Sequence, residues 1–164
     1  MVSKTSILEN LGRMSTLFSK TSNPKEALFY SKLAILELCG WIEESMDDIV
    51  KNYANRKLRN NDNLKFVKGV IKNVHSFDYH NDFRKMLIPV IGLIRLEMLE
   101  SKVDQTKLDL MIAALNTLKT QRNPLAHTHI KGATLTIDAP SKTKQQVMYV
   151  YEGLKSIEHE LKRL

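Results

Sequence analysis

The sequence predicts an all-α protein, a bundle of five or six helices around a four-helix core. Apolar residues recur at helical spacing in nearly every segment. The 164 residues include only six Gly and four Pro, too few for a loop-rich β-sandwich. A short irregular or hairpin segment is expected near residues 128–140. We find no internal repeat or long linker, so residues 1–164 are predicted to form one domain.

The first part of the chain predicts three helices. An apolar stripe indicates a helix over about residues 5–20. Asn23-Pro24-Lys25-Glu26 is typical of a helix start, with an N-cap, a proline at the first position and a Glu that completes a capping box. This second helix is expected to run into the fifties and to end at Asn60–Asn63, where short polar side chains favour turns. A shorter helix carrying Leu64 and Ile71 follows.

The middle of the chain predicts a loop and then a helix with a proline. Val74–Asn81 has no period and is interpreted as a loop. An apolar stripe over Asp82–Glu100 indicates a helix that Pro89 either kinks or restarts. Thr106 and Asp109 form a second capping box, which predicts the start of the next helix.

The last part of the chain predicts where that helix ends and one more begins. The residue before a proline disfavours helical geometry, so the helix is expected to end before Pro124. Thr134–Ile137 alternates at period two over a short span. The apolar stripe from Val147 to Leu161 predicts the final helix.

Composition excludes several classes of protein. A single cysteine, Cys39, rules out an internal disulfide framework and suits a reducing cytosol. No apolar run approaches ~18 residues and the start lacks a hydrophobic signal core, so we expect neither a transmembrane nor a secreted protein. A cytoplasmic protein without a membrane partner is expected.

Charge is unevenly distributed in a chain of net charge +7. Residues 37–50 contain five acids and no base, whereas residues 51–72 contain seven basic residues against one acid. A basic segment of this kind attracts a polyanion by releasing its counterions, which predicts RNA binding. The alternative is an ordinary solvated helix face. We call these seven residues the basic block: Lys51, Arg56, Lys57, Arg59, Lys65, Lys68 and Lys72.

The string Arg122-Asn123-Pro124-Leu125-Ala126-His127 holds the candidate chemistry. A guanidinium is always charged and forks onto two phosphate oxygens. An imidazole titrates near neutrality and can take or give a proton. Arg122 and His127 at a helix end can therefore face one phosphate, with His127 moving a proton and Arg122 stabilising the charge of the transition state. The alternative is an Arg that caps helical carbonyls beside a surface His.

This string resembles the signature of HEPN (higher eukaryotes and prokaryotes nucleotide-binding) domains, an Arg followed by a polar residue and, a few positions on, a His. The family is an all-α bundle. The resemblance implies a metal-independent endoribonuclease that leaves 2′,3′-cyclic phosphate and 5′-hydroxyl ends, acting as a toxin or antiviral effector. Arg122, Asn123 and His127 would then be its catalytic residues, at the interface of a homodimer. Some members have a Tyr two residues after the His, where a partner enzyme silences them; this chain has His129 there.

Two further residues are candidates for supporting roles. His129 lies on the same side as His127 if the segment is extended, and is either a second acid/base group or an ordinary polar residue. Glu37 interrupts an apolar stretch, where a lone carboxylate is costly. We expect Glu37 to pair with Arg122 or to orient His127; the alternative is a charge at the edge of the buried stripe.

The sequence therefore predicts a HEPN-like ribonuclease that cuts single-stranded or looped RNA as a homodimer, with a neutralising partner protein as a further candidate. Neither a cysteine cluster nor paired carboxylates at ligand spacing occur, so no metal site and no cofactor are expected. One alternative is a HEPN-like module that binds nucleotide, RNA or a protein without cleaving. Another is a small interaction subunit, such as an antitoxin or adaptor, whose basic block docks an acidic partner.

Overall fold

The computed structural model describes residues 1–127, 129–130 and 136–164, and within these ranges the chain is largely helical. A five-residue π-helical turn, Tyr79–Phe83, leads directly into the fourth helix, and no β-strand occurs in the described ranges. The predicted all-α bundle is confirmed. None of the six described helices has the length and apolar composition that crossing a membrane requires. The helices are α1 (Thr5–Lys20), α2 (Pro24–Lys57), α3 (Asn61–Lys72), α4 (Arg84–Lys102), α5 (Gln105–His127) and α6 (Pro140–Lys162).

Helices α1, α2, α5 and α6 form the four-helix core. α5 packs along α6 and α1 along α2, while α2 and α6 also contact each other. α3, the π-helical turn and α4 cover one flank through contacts with α2 and α6. Burial of apolar surface drives this packing. The centre consists of side chains with no measurable exposure, among them Leu11, Ile35, Leu38, Met46 and Leu154.

The start of α2 lies where the sequence predicts it, but its hydrogen bonds differ. The Asn23 side chain accepts from the Lys25 N–H at 3.0 Å, and Pro24 occupies the first helical position. Glu26 does not close a capping box, because its Oε2 accepts instead from the Thr21 hydroxyl at 2.6 Å. The Thr21 oxygen in turn accepts from the Asn23 N–H at 3.1 Å. A threonine before the cap therefore satisfies the donor that the capping box assigns to Glu26.

The loop predicted over Val74–Asn81 is partly helical. Asp78 caps the π-helical turn, since its Oδ1 accepts from the Asn81 N–H at 2.8 Å. The buried rings of Tyr79 and Phe83 hold this turn against the core. Within α4 the break lies at Gly92, whose φ of 76° is in the left-handed region that favours glycine, and not at Pro89.

Helix α5 begins earlier and ends later than its sequence signals predict. Asp104, rather than Thr106, caps its start and accepts from the Lys107 N–H at 3.1 Å. The helix continues through Pro124 to His127, so the predicted end before Pro124 is wrong. A proline removes one helical hydrogen bond. Leu118 and Leu125 are buried on either side of it, and their packing keeps the last turns helical.

The predicted irregular or hairpin segment lies between α5 and α6. Its period-two stretch, Thr134–Ile137, falls partly outside the described residues. Residues 136–139 are irregular, and Ile137 packs half-buried against the core. The described part of this segment therefore fits the irregular alternative.

Candidate functional site

Arg122 lies near the end of α5, and its guanidinium approaches the middle of α2. Its Nη2 is 3.6 Å from Oε1 of Glu43, with 29% and 34% of the two side chains exposed. Cys39 lies one turn earlier on α2, and burial raises the pKa of its thiol to about 12 although the Arg122 charge opposes that rise. A buried, protonated thiol is a poor nucleophile. Cys39 is therefore not a candidate nucleophile, and the charged groups of this surface are Arg122 and Glu43.

Glu43 is a partly buried carboxylate with an incomplete set of partners. Burial raises its pKa above the ordinary value, the Arg122 charge opposes this, and Asp47 and Asp82 raise it further. Its Oε1 is buried and accepts no hydrogen bond from the described residues. The 3.6 Å separation from Arg122 is too long for a hydrogen bond. Among the described residues, the contact of Glu43 with Arg122 is therefore an ion pair without a hydrogen bond, and 29% of the Arg122 side chain is exposed to an anion.

Asn123 and His127 lie one helical turn apart on an exposed face of α5. Arg122 and His127 are five residues apart, which corresponds to a rotation of about 140° around the helix axis. One copy of the chain therefore presents them on different faces of α5. The predicted proximity of an Arg and a His in sequence does not place both on one face.

The acid beside Arg122 is Glu43 and not Glu37. The Glu37 carboxylate accepts from Asn10 Nδ2 of α1 at 2.9 Å, which gives this charge a partner at the α1–α2 contact. Six residues separate Glu37 from Glu43, so the two point about 120° apart around α2. The predicted pairing of Glu37 with Arg122 is wrong. His129 is exposed beyond the end of α5.

Residues 73–83, which precede α4, are bound to α5 beside the Arg122–Glu43 pair. Lys119, one turn before Arg122, forms an ion pair of 3.0 Å with Asp78. Burial acts to raise the pKa of Asp78, but hydrogen bonds from Asn81 and Lys119 outweigh it and hold that pKa below its ordinary value. The sequence over Val74–Asn81 has no period, so nothing in it indicated that Asp78 would bind α5 beside Arg122.

The basic block runs from the end of α2, through Arg59 in the link between the helices, to the outer side of α3. Six of its seven residues are exposed. The exception is Lys51, whose Nζ lies 3.9 Å from Oδ2 of Asp47 and 3.8 Å from Oδ1 of Asp48. Arg56 lies thirteen residues, or about 20 Å along the axis of α2, from Glu43. α3 then runs back from Asn61 to Lys72, and His75 follows three residues later. The block therefore extends from the far end of α2 back toward the Arg122–Glu43 pair.

An exposed apolar stripe lies on α2 next to Glu43. Phe29 and Leu33 are each 48% exposed, Leu36 is half-buried and Gly40 is exposed. These four residues and Glu43 fall within an arc of about 80° around the helix. We call residues 29, 33, 36 and 40 the α2 stripe. Exposed apolar groups arranged in one stripe are typical of a surface that another protein covers.

Within the described ranges, no group of three His, Cys, Asp or Glu side chains is arranged to hold a metal ion. Comparison of the chain with family models, with curated proteins and with solved structures gives no match.

Proposed function

We propose that this protein is a metal-independent endoribonuclease of the HEPN type, a toxin or antiviral defence effector that cleaves single-stranded or looped RNA. The observation that carries the proposal is Arg122, which charge draws to the partly buried Glu43 while 29% of its side chain remains exposed. Asn123 and His127 are exposed on the same helix. A guanidinium, an amide and an imidazole are the groups that phosphodiester cleavage without a metal needs.

In the proposed reaction His127 accepts the proton of a ribose 2′-hydroxyl. The 2′-oxygen attacks the adjacent phosphorus, and the bond from phosphorus to the 5′-oxygen breaks as that oxygen takes a proton from water. The products are a 2′,3′-cyclic phosphate and a 5′-hydroxyl. Arg122 stabilises the charge that develops on the phosphate oxygens, while Glu43 positions the guanidinium. Unpaired RNA is the preferred substrate because it can bring its 2′-oxygen into line with the scissile bond.

A homodimer reconciles this reaction with the two faces of α5. The α2 stripe borders Glu43, so a second copy packed there lies next to Arg122. In such a pair the partner's His127 approaches the Arg122 of the first chain, and the two-fold axis generates a second identical site. This arrangement supplies both groups to one phosphate although each chain holds them about 140° apart.

The proposal is tested by incubating the purified protein with mixed cellular RNA in a chelator and by analysing the 3′ ends of the fragments. We expect cyclic phosphate ends, and a rate that falls at least ~100-fold in His127→Ala, because acid–base groups contribute on the order of 10²–10⁴. The matched control is His159→Ala, which removes an exposed histidine from α6. Cleavage that persists in His127→Ala contradicts the proposal.

The second candidate function is a non-catalytic module that binds nucleotide or RNA, or docks a protein as an antitoxin or adaptor. The exposure of six basic-block residues favours it. Such a module leaves RNA intact in the assay above. Its binding weakens steeply with salt and is the same in wild type and His127→Ala.

A further inference from the structure

We propose that Phe66 on α3 is a stacking platform for an unpaired nucleobase, with Lys65, Lys68 and Lys72 binding the phosphates of the same strand. The inference rests on the proposed function for the identity of the strand as substrate RNA. It adds a binding subsite outside the Arg122–Glu43 pair and gives the basic block a defined contact mode.

Phe66 is an aromatic side chain that the fold leaves in solvent. α3 buries Val67 and Ile71 and half-buries Leu64 on its inner side. Phe66 points away from these residues and is 61% exposed. A Phe ring with this exposure contributes little to the stability of the core, because hydrophobic stabilisation scales with the apolar area removed from water.

Gly69 keeps the space beside the ring open. Side chains on a helix lean toward its N-terminus, so a side chain at position 69 would lie over the turn that contains Phe66. A Cβ added at Gly69 meets nothing within 4 Å, and the backbone there has no positive φ. Neither packing nor conformation therefore requires glycine, which costs a helix interior roughly 0.5–1 kcal/mol relative to alanine. The space at position 69 is open, and no side chain from this position covers the ring of Phe66.

The three lysines of α3 line the other side of this opening. Lys65, Lys68 and Lys72 are exposed and fall within an arc of about 60° around the helix. Gly69 lies between that arc and Phe66. The acid on α3 is Asp62, which pairs with Lys65 at 3.4 Å where both side chains are more than three-quarters exposed. Surface pairs of this kind are weak, so the helix keeps its attraction for phosphates.

The neighbours of the ring favour a nucleic acid strand over an apolar protein surface. One turn before and after Phe66 on the exposed side lie Asp62 and Gly69, and the apolar neighbour Val70 is half-buried against the core, so the ring is not part of an exposed apolar stripe on α3. A single aromatic ring beside a row of cations is the arrangement that binds unpaired strands, through base stacking and phosphate contacts. The strand also has a path toward the cleavage site, because α3 ends at Lys72 and the segment that follows is held to α5 by the 3.0 Å ion pair of Asp78 with Lys119, one turn before Arg122.

The inference is tested by the affinity of a fluorescent single-stranded RNA in a chelator, with His127→Ala as the parent protein so that no substrate is consumed. We expect Phe66→Ala to bind about 5- to 150-fold more weakly, which corresponds to ~1–3 kcal/mol per stacked base. Phe66→Trp is expected to bind as tightly as the parent, and the RNA is expected to quench the fluorescence of the new indole. The matched control is Ile94→Ala, which removes an apolar side chain 79% exposed on α4 and is expected to bind like the parent.

Equal affinity of Phe66→Ala and the parent, within twofold, overturns the inference, as does an equal loss in Ile94→Ala. A duplex of the same sequence gives a second reading, because its bases are already stacked. We expect Phe66→Ala and the parent to bind that duplex equally, whereas an equal loss for duplex and single strand contradicts stacking. Binding and cleavage are measured separately: loss of affinity in Phe66→Ala supports the subsite even if the wild-type protein cuts no RNA.

Discussion

Replacing Gly153 by alanine tests the contact between α5 and α6. A Cβ built at Gly153 lies 2.5 Å from Cβ, 2.7 Å from Sδ and 2.9 Å from Cγ of Met111. Ordinary carbon contacts are about 3.5–4.0 Å, so the two helices must separate by about 1 Å at this point. Met111 is fully buried, and its Cβ cannot move without its backbone.

The expected cost follows from these distances. Overpacking a well-packed core costs typically ~1–3 kcal/mol, and the better helix propensity of alanine returns roughly 0.5–1 kcal/mol. Because the Met111 Cβ is fixed to its backbone, the cost lies in the upper half of the first range, and the free energy of unfolding should fall by about 1–2.5 kcal/mol. For a chain of this size that corresponds to a Tm lower by about 2–10 °C.

The assay is thermal and urea unfolding followed by circular dichroism. Gly69→Ala is the matched control, because its Cβ meets nothing within 4 Å on the exposed side of α3. It should raise the stability by roughly 0.5–1 kcal/mol. If Gly153→Ala is as stable as Gly69→Ala, the close packing of α5 on α6 is refuted.

Three other predictions follow from the charges and surfaces. The pKa of Glu43 is raised in the folded state, so the protein loses stability as the pH rises from the ordinary carboxyl pKa through the raised one. Glu43→Gln should therefore be at least as stable as wild type in urea titrations at pH 7. It should nevertheless cut RNA more slowly, because the guanidinium loses its charged partner. Glu158 is buried, and hydrogen bonds from Lys162 and the Val2 N–H outweigh burial and lower its pKa. Glu158→Gln should lose about 1–3 kcal/mol near neutral pH, and this difference should shrink as the pH falls below about 4, where the unfolded carboxyl is protonated; a constant difference would contradict the assignment. Leu33→Glu should convert a dimer to an 18.9 kDa monomer in light scattering, whereas an unchanged dimer would place the interface elsewhere.

Hydrophobic periodicity predicted most of the fold, since each of the six described helices carries an apolar stripe long enough to be recognised in the sequence. The errors lie where a distant contact overrides a local signal. Pro124 should end α5, but Leu118 and Leu125 are buried on either side of it and the helix continues. At the start of α2, Thr21 takes a hydrogen bond that local spacing assigns to Glu26.

The candidate site was predictable only in part. Arg122 and His127 were proposed from their residue types at a helix end and, together with Asn123, from the resemblance of their string to a family signature. The choice between Glu37 and Glu43 depends on α1, whose Asn10 supplies the partner of Glu37. That contact joins residues 27 positions apart, beyond any pattern within α2. Phe66 lies within residues 51–72, the segment that carries the basic block, but only the structure shows that its ring is exposed.

The most direct test of the central claim is to mix Arg122→Ala with His127→Ala, each inactive alone, and to measure RNA cleavage. If Arg122 of one chain acts with the partner's His127, half of the reassembled dimers hold one intact site out of two. The mixture should then recover about a quarter of wild-type activity, with cyclic phosphate ends. A mixture that stays as inactive as its two components would contradict a cleavage site built from two copies of this chain.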